Sequence, residues 1–351
     1  WLSEPSIGLH EIKNVRNALK QNWLSSLGSN YIKFKLNLKK KIKCNNLSLV
    51  NSGTSAIHLA LKVLEIKKND IVLCQSFTFI GSINPIKYCE ATPVFIDSEK
   101  DTWNIDPSKL EEAIKYFIKK NNKPKAIILV HIYGIPCKID EIKKIAKVYK
   151  IPIIEDAAEA FGSTFNKKYC GTIGDIGIFS FNANKILTCA GGGALTSNKN
   201  KYIQKIDYLS SQAKSNKNYY HHTDIGYNYR LDNISASIGL GQLKNIDRKL
   251  KIYYDNYISC CKIITNFDFV SVKKVYQYKS SVQLNHWLIP ITFNDKILKK
   301  INIDKIITLF GNEKIQVKRV WKPIHMQPIY KNELFFGNMI SEKIFKNSIC
   351  L

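Results

Sequence analysis

A chain of 351 residues with 45% hydrophobic and 23% charged positions has room for one large domain and a smaller one, and its balance excludes a disordered or collagen-like polymer. A chain of this size buries enough surface to need no disulfide or metal staple. Its 53 basic and 28 acidic residues give +25, but arginine, the residue suited to bidentate reading of phosphate or guanine, stands only at 16, 230, 248 and 319, which argues against a nucleic-acid partner.

From about residue 47 to 196, short apolar runs alternate with amphipathic stretches. Residues 72–77, 92–96, 126–131, 151–155 and 176–181 read as buried strands, and 55–64, 107–119 and 139–149 as helices between them. Such alternation predicts an α/β fold with a mostly parallel central sheet covered on both faces. The character changes near residue 242. A helix is expected over 244–261, a strand over 287–293, a helix over 296–310 and a short strand over 315–320. The expected division is a large domain with its N-terminal segment over 1–242 and a smaller α+β domain over 243–351, which reads as cut short. Nine cysteines without a CxxC pair or disulfide spacing suit a reducing cytoplasm. No apolar run approaches the roughly 18 residues of a membrane span, so no membrane partner is expected.

In open parallel sheets, ligands gather beyond the carboxyl ends of the strands. The stretch 151–158, IPIIEDAA, delivers Asp156 to such an end, where a carboxylate serves as a helix cap, a metal ligand or a partner for a cofactor nitrogen. Twenty-nine residues on, FSFNANK places Lys185 in a loop after a strand, followed by the glycines 191–193, which let backbone pass close by. A lysine and a carboxylate so placed suggest a Schiff-base lysine and the acid that keeps a pyridine nitrogen protonated, the pair that pyridoxal 5'-phosphate requires. Its phosphate needs a cradle, and NSGTSA at 51–56 leads into a helix whose first N–H groups face an anion. Ser180 can add its hydroxyl to the same phosphate. No spacing supports a metal site.

These segments come in a recognisable order. VNSGTSAIHLAL at 50–61, SFTF at 76–79, VHIYG at 130–134, EDAAEA at 155–160, SFNANK at 180–185 and GYNYR at 226–230 together resemble the DegT-type sugar-nucleotide aminotransferases over nearly the whole chain. The resemblance implies the aspartate-aminotransferase fold (pyridoxal-phosphate fold type I). It implies that Lys185 binds the cofactor aldehyde and shuttles a proton, and that Asp156 pairs with the ring nitrogen. It further implies that Glu159, one helical turn on, lies near the ring hydroxyl, where many relatives carry glutamine. Phe79 is expected to stack on the ring, and Gly53, Thr54 and Ser180 to hold the phosphate. In relatives the loop around residue 228 crosses a twofold interface, so Asn228 is expected at the partner's phosphate and the active sites to be shared within a homodimer. Arg230 and His325 are expected to meet the substrate.

Finer likeness at 211–213, 219–231 and 321–327 points to the branch that aminates UDP-4-keto-6-deoxy-N-acetylglucosamine with an amino-acid donor, L-glutamate first, in bacillosamine-type glycan or polysaccharide synthesis. Lysine at 185, where sugar dehydratases of this kind carry histidine, favours transamination. Two alternatives stand beside this reading: the same chemistry on another keto-sugar or an inosose, and a non-catalytic DNA-binding regulator that has kept the fold.

Overall fold

The computed structural model describes residues 2–273 and 281–351. Two helices, α1 (Leu9–Lys20) and α2 (Ser29–Ile42), precede β1 (Asn46–Val50) and α3 (Gly53–Val63). Then follow β2 (Ile71–Gln75), α4 (Asn84–Tyr88), β3 (Thr92–Ile96), α5 (Pro107–Lys119), β4 (Ala126–Val130), α6 (Ile139–Tyr149) and β5 (Ile153–Asp156). A hairpin of β6 (Thr164–Phe165) and β7 (Lys168–Tyr169) leads to β8 (Ile176–Ser180), β9 (Gly193–Ser197) and α7 (Asn200–Leu209). Local chemistry explains the boundaries. Asp106 caps α5 by accepting from the Ser108 and Lys109 N–H groups, and Pro107 takes the first helical position, where no N–H is needed. Leu110, Ala113, Ile114 and Phe117 then form the buried stripe of that helix.

The first sheet has the strand order β1-β9-β8-β5-β4-β2-β3, with one further strand beyond β3 described below. Strands β3, β2, β4, β5 and β8 run parallel, and β9 is antiparallel to both β8 and β1. Two antiparallel steps bring β1 back into the direction of β8, so the carboxyl ends of these six strands open on one edge. Side chains alternate across the sheet. Ile71 and Leu73 of β2 pack under α5 and α6, whereas Val72 and Cys74 pack with α3 and α7 on the opposite face.

Helices α8 (Asn233–Lys244) and α9 (Ile246–Ile264) lead to β10 (Val270–Val272), β11 (Val282–Gln283), β12 (Pro290–Phe293), α10 (Asp295–Leu298), α11 (Ile303–Asn312) and β13 (Lys318–Arg319). The chain closes with β14 (Phe335–Phe336), α12 (Ile340–Asn347) and β15 (Ser348–Cys350). Strands β10, β12, β15 and β13 make a second, antiparallel sheet over a separate core of Ile264, Ile291, Phe293, Ile303, Ile306 and Ile349. Between β13 and α12 the chain returns to the first sheet. The Ile324 N–H donates to the Ser76 carbonyl, and β14 pairs in parallel with β3 as the eighth strand.

The expected strands of the first sheet lie within about two residues of those observed. In the C-terminal third the boundaries shift more. The single helix expected over 296–310 is two, because the Asn302 side chain caps a new start at α11. The strands expected over 287–293 and 315–320 shorten to β12 and β13.

Candidate active site

The loops after β1, β2, β5 and β8 bring polar groups to one cavity of about 310 Å³. After β1, Ser52 caps α3 by accepting from the Ser55 N–H at 3.0 Å. The first N–H groups of α3, at Gly53 and Thr54, lie at a helix start, where no intrahelical acceptor exists. A Cβ at position 53 would stand 3.0 Å from the Ser180 Cβ, so glycine lets this helix start close on the end of β8. After β2, the turn 77–82 brings Thr78, Phe79 and Ser82 to the cavity. Asp156 ends β5, Glu159 follows it, and Ser180 and Lys185 follow β8.

The electrostatics centre on two buried acids and one lysine. Asp156 accepts from the Ser82 hydroxyl at 2.7 Å and from the Ala158 N–H at 3.0 Å. Burial pushes its carboxyl up, against the pull of those hydrogen bonds and of the Lys185 charge. Glu159 accepts from the Tyr133 N–H at 2.7 Å, and its other oxygen lies 3.7 Å from Lys185 Nζ. Burial also pushes the Glu159 carboxyl up; Lys185 opposes this and the neighbouring Asp156 adds to it. Lys185 Nζ sits 4.1 Å from the centre of the Trp287 ring, a cation–π contact that fixes the lysine from its far side.

Gly53, Thr54, Phe79, Asp156, Glu159, Ser180 and Lys185 therefore share one cavity. Glu159 reaches it differently from the expectation: residues 157–160 form a turn rather than a helix, closed by the Ala160 N–H on the Ala157 carbonyl. Phe79 is 51% exposed and leans on Trp321 with ring centres 5.3 Å apart. Three expected residues lie outside the cavity lining of this chain. His325 is held by the Ser76 hydroxyl at 2.6 Å and Glu342 at 3.3 Å and stacks on Phe335, so it fastens the C-terminal segment to the first sheet. Asn228 is exposed and meets the site only through its carbonyl, which accepts from Asn51. Arg230 is half-buried and its backbone bridges Val50.

Sequence reasoning missed Thr78, Ser82, Trp287 and Trp321 as site residues. Thr78 and Trp321 stand inside the segments 76–79 and 321–327 that carry the resemblance, without a role of their own, and nothing marks Ser82 or Trp287 until the fold shows what they face. His131 is fully buried behind the cavity; its Nδ1 accepts from the Cys137 N–H, so Nε2 carries the proton toward Glu155 at 2.9 Å. Cys170 joins these two in a close group, yet the Glu155 oxygens already accept from Gly171, Ile173 and Gly174.

A lysine and a buried carboxylate around one cavity, with a helix start at its side, call for a comparison with known enzymes. Residues 5–351 match the model of the DegT/DnrJ/EryC1/StrS aminotransferase family. The chain belongs to that family. It is a pyridoxal-phosphate-dependent aminotransferase of fold type I. EpsN of Bacillus subtilis, which bears the name of a pyridoxal phosphate-dependent aminotransferase, is 39% identical over 100% of this chain and 90% of its own. GDP-perosamine synthase of Escherichia coli O157:H7 is 34% identical over 94% of this chain and 86% of its own. A crystal structure of a family member from Brucella abortus superposes with a TM-score of 0.89 at 25% identity, covering 97% of this chain and 89% of that one. The cavity fits the family's cofactor: the first N–H groups of α3, at Gly53 and Thr54, suit the phosphate, a buried acid suits the ring nitrogen, and a lysine suits the aldehyde. No family or relative found here supports a DNA-binding regulator.

Proposed function

We propose that this aminotransferase moves an amino group from L-glutamate to a 4-keto-6-deoxy nucleotide sugar, UDP-4-keto-6-deoxy-N-acetylglucosamine first, for glycan or polysaccharide synthesis. The observation that carries the reading is the shared cavity of Asp156 and Lys185 beside the start of α3. When bound there, pyridoxal phosphate supplies an aldehyde and an electron-withdrawing ring that hold the amino group between donor and acceptor. Lys185 Nζ holds and returns the proton at the reacting carbon. Asp156 accepts the proton of the ring nitrogen as a hydrogen bond. The N–H groups of Gly53 and Thr54, with the Ser180 hydroxyl, bind the phosphate, and Phe79 orients the ring by its face. Glu159, 3.7 Å from Lys185 Nζ, is the second acid available for that proton.

The rest of the reading extends beyond one chain. Asn228 reaches the partner subunit's phosphate in a homodimer, Arg230 of the same loop serves the substrate, and His325 of the smaller domain serves its nucleotide end. The division into residues 1–242 and 243–351 and a cytoplasmic location belong to the same proposal. Among the described residues no helix is long and apolar enough to cross a membrane. The UDP-linked sugar rests on likeness at 211–213, 219–231 and 321–327. A GDP-linked 4-keto sugar is the rival, because a 34% identical relative is named GDP-perosamine synthase. Purified protein incubated with L-glutamate and either keto-sugar decides, with product mass and NMR as the readout. Turnover of the UDP sugar alone supports the reading; turnover of the GDP sugar alone overturns it.

A further inference from the structure

Behind the buried acid lies a pair of hydroxyl side chains that the family reading leaves without a role. Ser82 Oγ is 2.7 Å from Asp156 Oδ2 and 3.0 Å from Thr78 Oγ1. A hydroxyl carries one proton, and a carboxylate accepts only, so the Ser82 proton points at Asp156. Thr78 must then donate to Ser82. The order Thr78 to Ser82 to Asp156 is fixed by that count alone, and all three side chains are buried, at 2%, 4% and 2% exposure.

The backbone holds the pair in place. Thr78 N–H donates to the Ser76 carbonyl, and Ser82 N–H to the Phe79 carbonyl, so 78–82 is a tight turn. The same turn presents Phe79 to the cavity from between the two hydroxyls. On the other side, Asp156 Oδ1 accepts from the Ala158 N–H. Each oxygen of the acid thus has one donor from the protein and keeps lone pairs for a further one.

We propose that Thr78 and Ser82 form a directed hydroxyl relay that orients the Asp156 carboxylate and keeps it an acceptor for the ring nitrogen of pyridoxal phosphate. Both are positioning residues acting through Asp156. The inference rests on the role given to Asp156 above. Donation from a relay strengthens each bond in it, and a hydrogen bond to the ionised form favours that form. The Lys185 charge near Asp156 also favours ionisation, so the relay acts with it against burial.

The test titrates cofactor affinity rather than turnover. Apo-protein is mixed with pyridoxal phosphate from pH 4.5 to 8, following the dissociation constant and the visible spectrum, for wild type, Ser82→Ala, Thr78→Val, Thr78→Ser and Asp156→Asn. The relay predicts that the loss of binding on the acid side moves up by about one to two pH units in Ser82→Ala. Thr78→Val moves it the same way by less, and Thr78→Ser, which keeps the hydroxyl, restores the wild-type limb. Should Ser82→Ala fail to fold, the Thr78 pair carries the comparison. An acid limb in folded Ser82→Ala, or in both Thr78 variants, that overlays wild type overturns the relay. If Asp156→Asn also overlays wild type, the acid is not the ring's partner and the site reading falls with it; if only Asp156→Asn departs, the relay alone falls.

Discussion

Lys185 and Glu159 stand 3.7 Å apart at one end of the cavity, and what each does is separable by substitution. Arginine keeps a cation near Glu159 but cannot bond the cofactor aldehyde or pass its proton. Lys185→Arg is therefore expected to yield protein without the yellow colour that borohydride fixes to the chain, with turnover down at least about a hundredfold; normal turnover removes Lys185 from the chemistry. Glu159 makes a different prediction, on stability. Burial raises its carboxyl above the ordinary range, so between its unfolded and folded values the folded apo-protein holds the extra proton. That contribution is complete below the unfolded value and is lost as the pH climbs through the folded one. The melting temperature of apo wild type, relative to Glu159→Gln, should thus decline as pH rises from the ordinary glutamate range. A difference independent of pH removes the raised carboxyl. Lys185 and Asp156 were legible because a strand, a loop and a glycine run surround them in sequence. Trp287 was not, because it comes to Lys185 across 102 residues by packing alone.

Strands β2, β3, β4, β5 and β8 are legible for a physical reason: strands buried on both faces are short continuous apolar runs, and α5 and α6 each show one apolar stripe. Helix α8 hid itself. Its sequence NISASIGLGQLK has two glycines and no sharp apolar face, because it is wrapped by α1 and α2 instead of lying on a sheet. Close approach explains the composition. A Cβ on Gly239 would meet Cys189 Sγ at 2.4 Å and the Phe34 ring at 2.8 Å, both fully buried. Cys189 lies in the loop between Lys185 and the glycine run, so this helix buttresses the segment that carries the lysine. Gly239→Ala sets two effects against each other. Helix propensity gains about 1 kcal/mol, while overpacking of this kind costs about 1–3 kcal/mol. Packing should win, and urea unfolding should show a lower midpoint at unchanged slope. A higher midpoint would mean that α8 stands further from the loop than described. The strand β14 was equally hidden, since two residues carry no periodicity and its register is dictated by β3.

At the scale of the whole molecule, the cavity opens beside Asn51, whose side chain donates to the Asn228 carbonyl at 3.3 Å. The Asn228 side chain is exposed, and Ile225 and Tyr220 nearby are 81% and 82% exposed, an apolar surface that a monomer has little reason to present. A second subunit facing this loop would cover it and receive Asn228 at its own site, while the lysine stays with its own chain. The arrangement makes a numerical prediction when two disabled chains are co-expressed with different tags. In a dimer of Lys185→Arg with Asn228→Ala, one site combines both defects and the other combines the intact lysine of one chain with the intact asparagine of its partner. Random pairing makes half the dimers mixed, so the mixture should recover about one quarter of the wild-type active sites. Purified through both tags, the mixed dimer alone should reach about one half. Activity no higher than the mean of the two single variants would place Asn228 in its own subunit's site or in none.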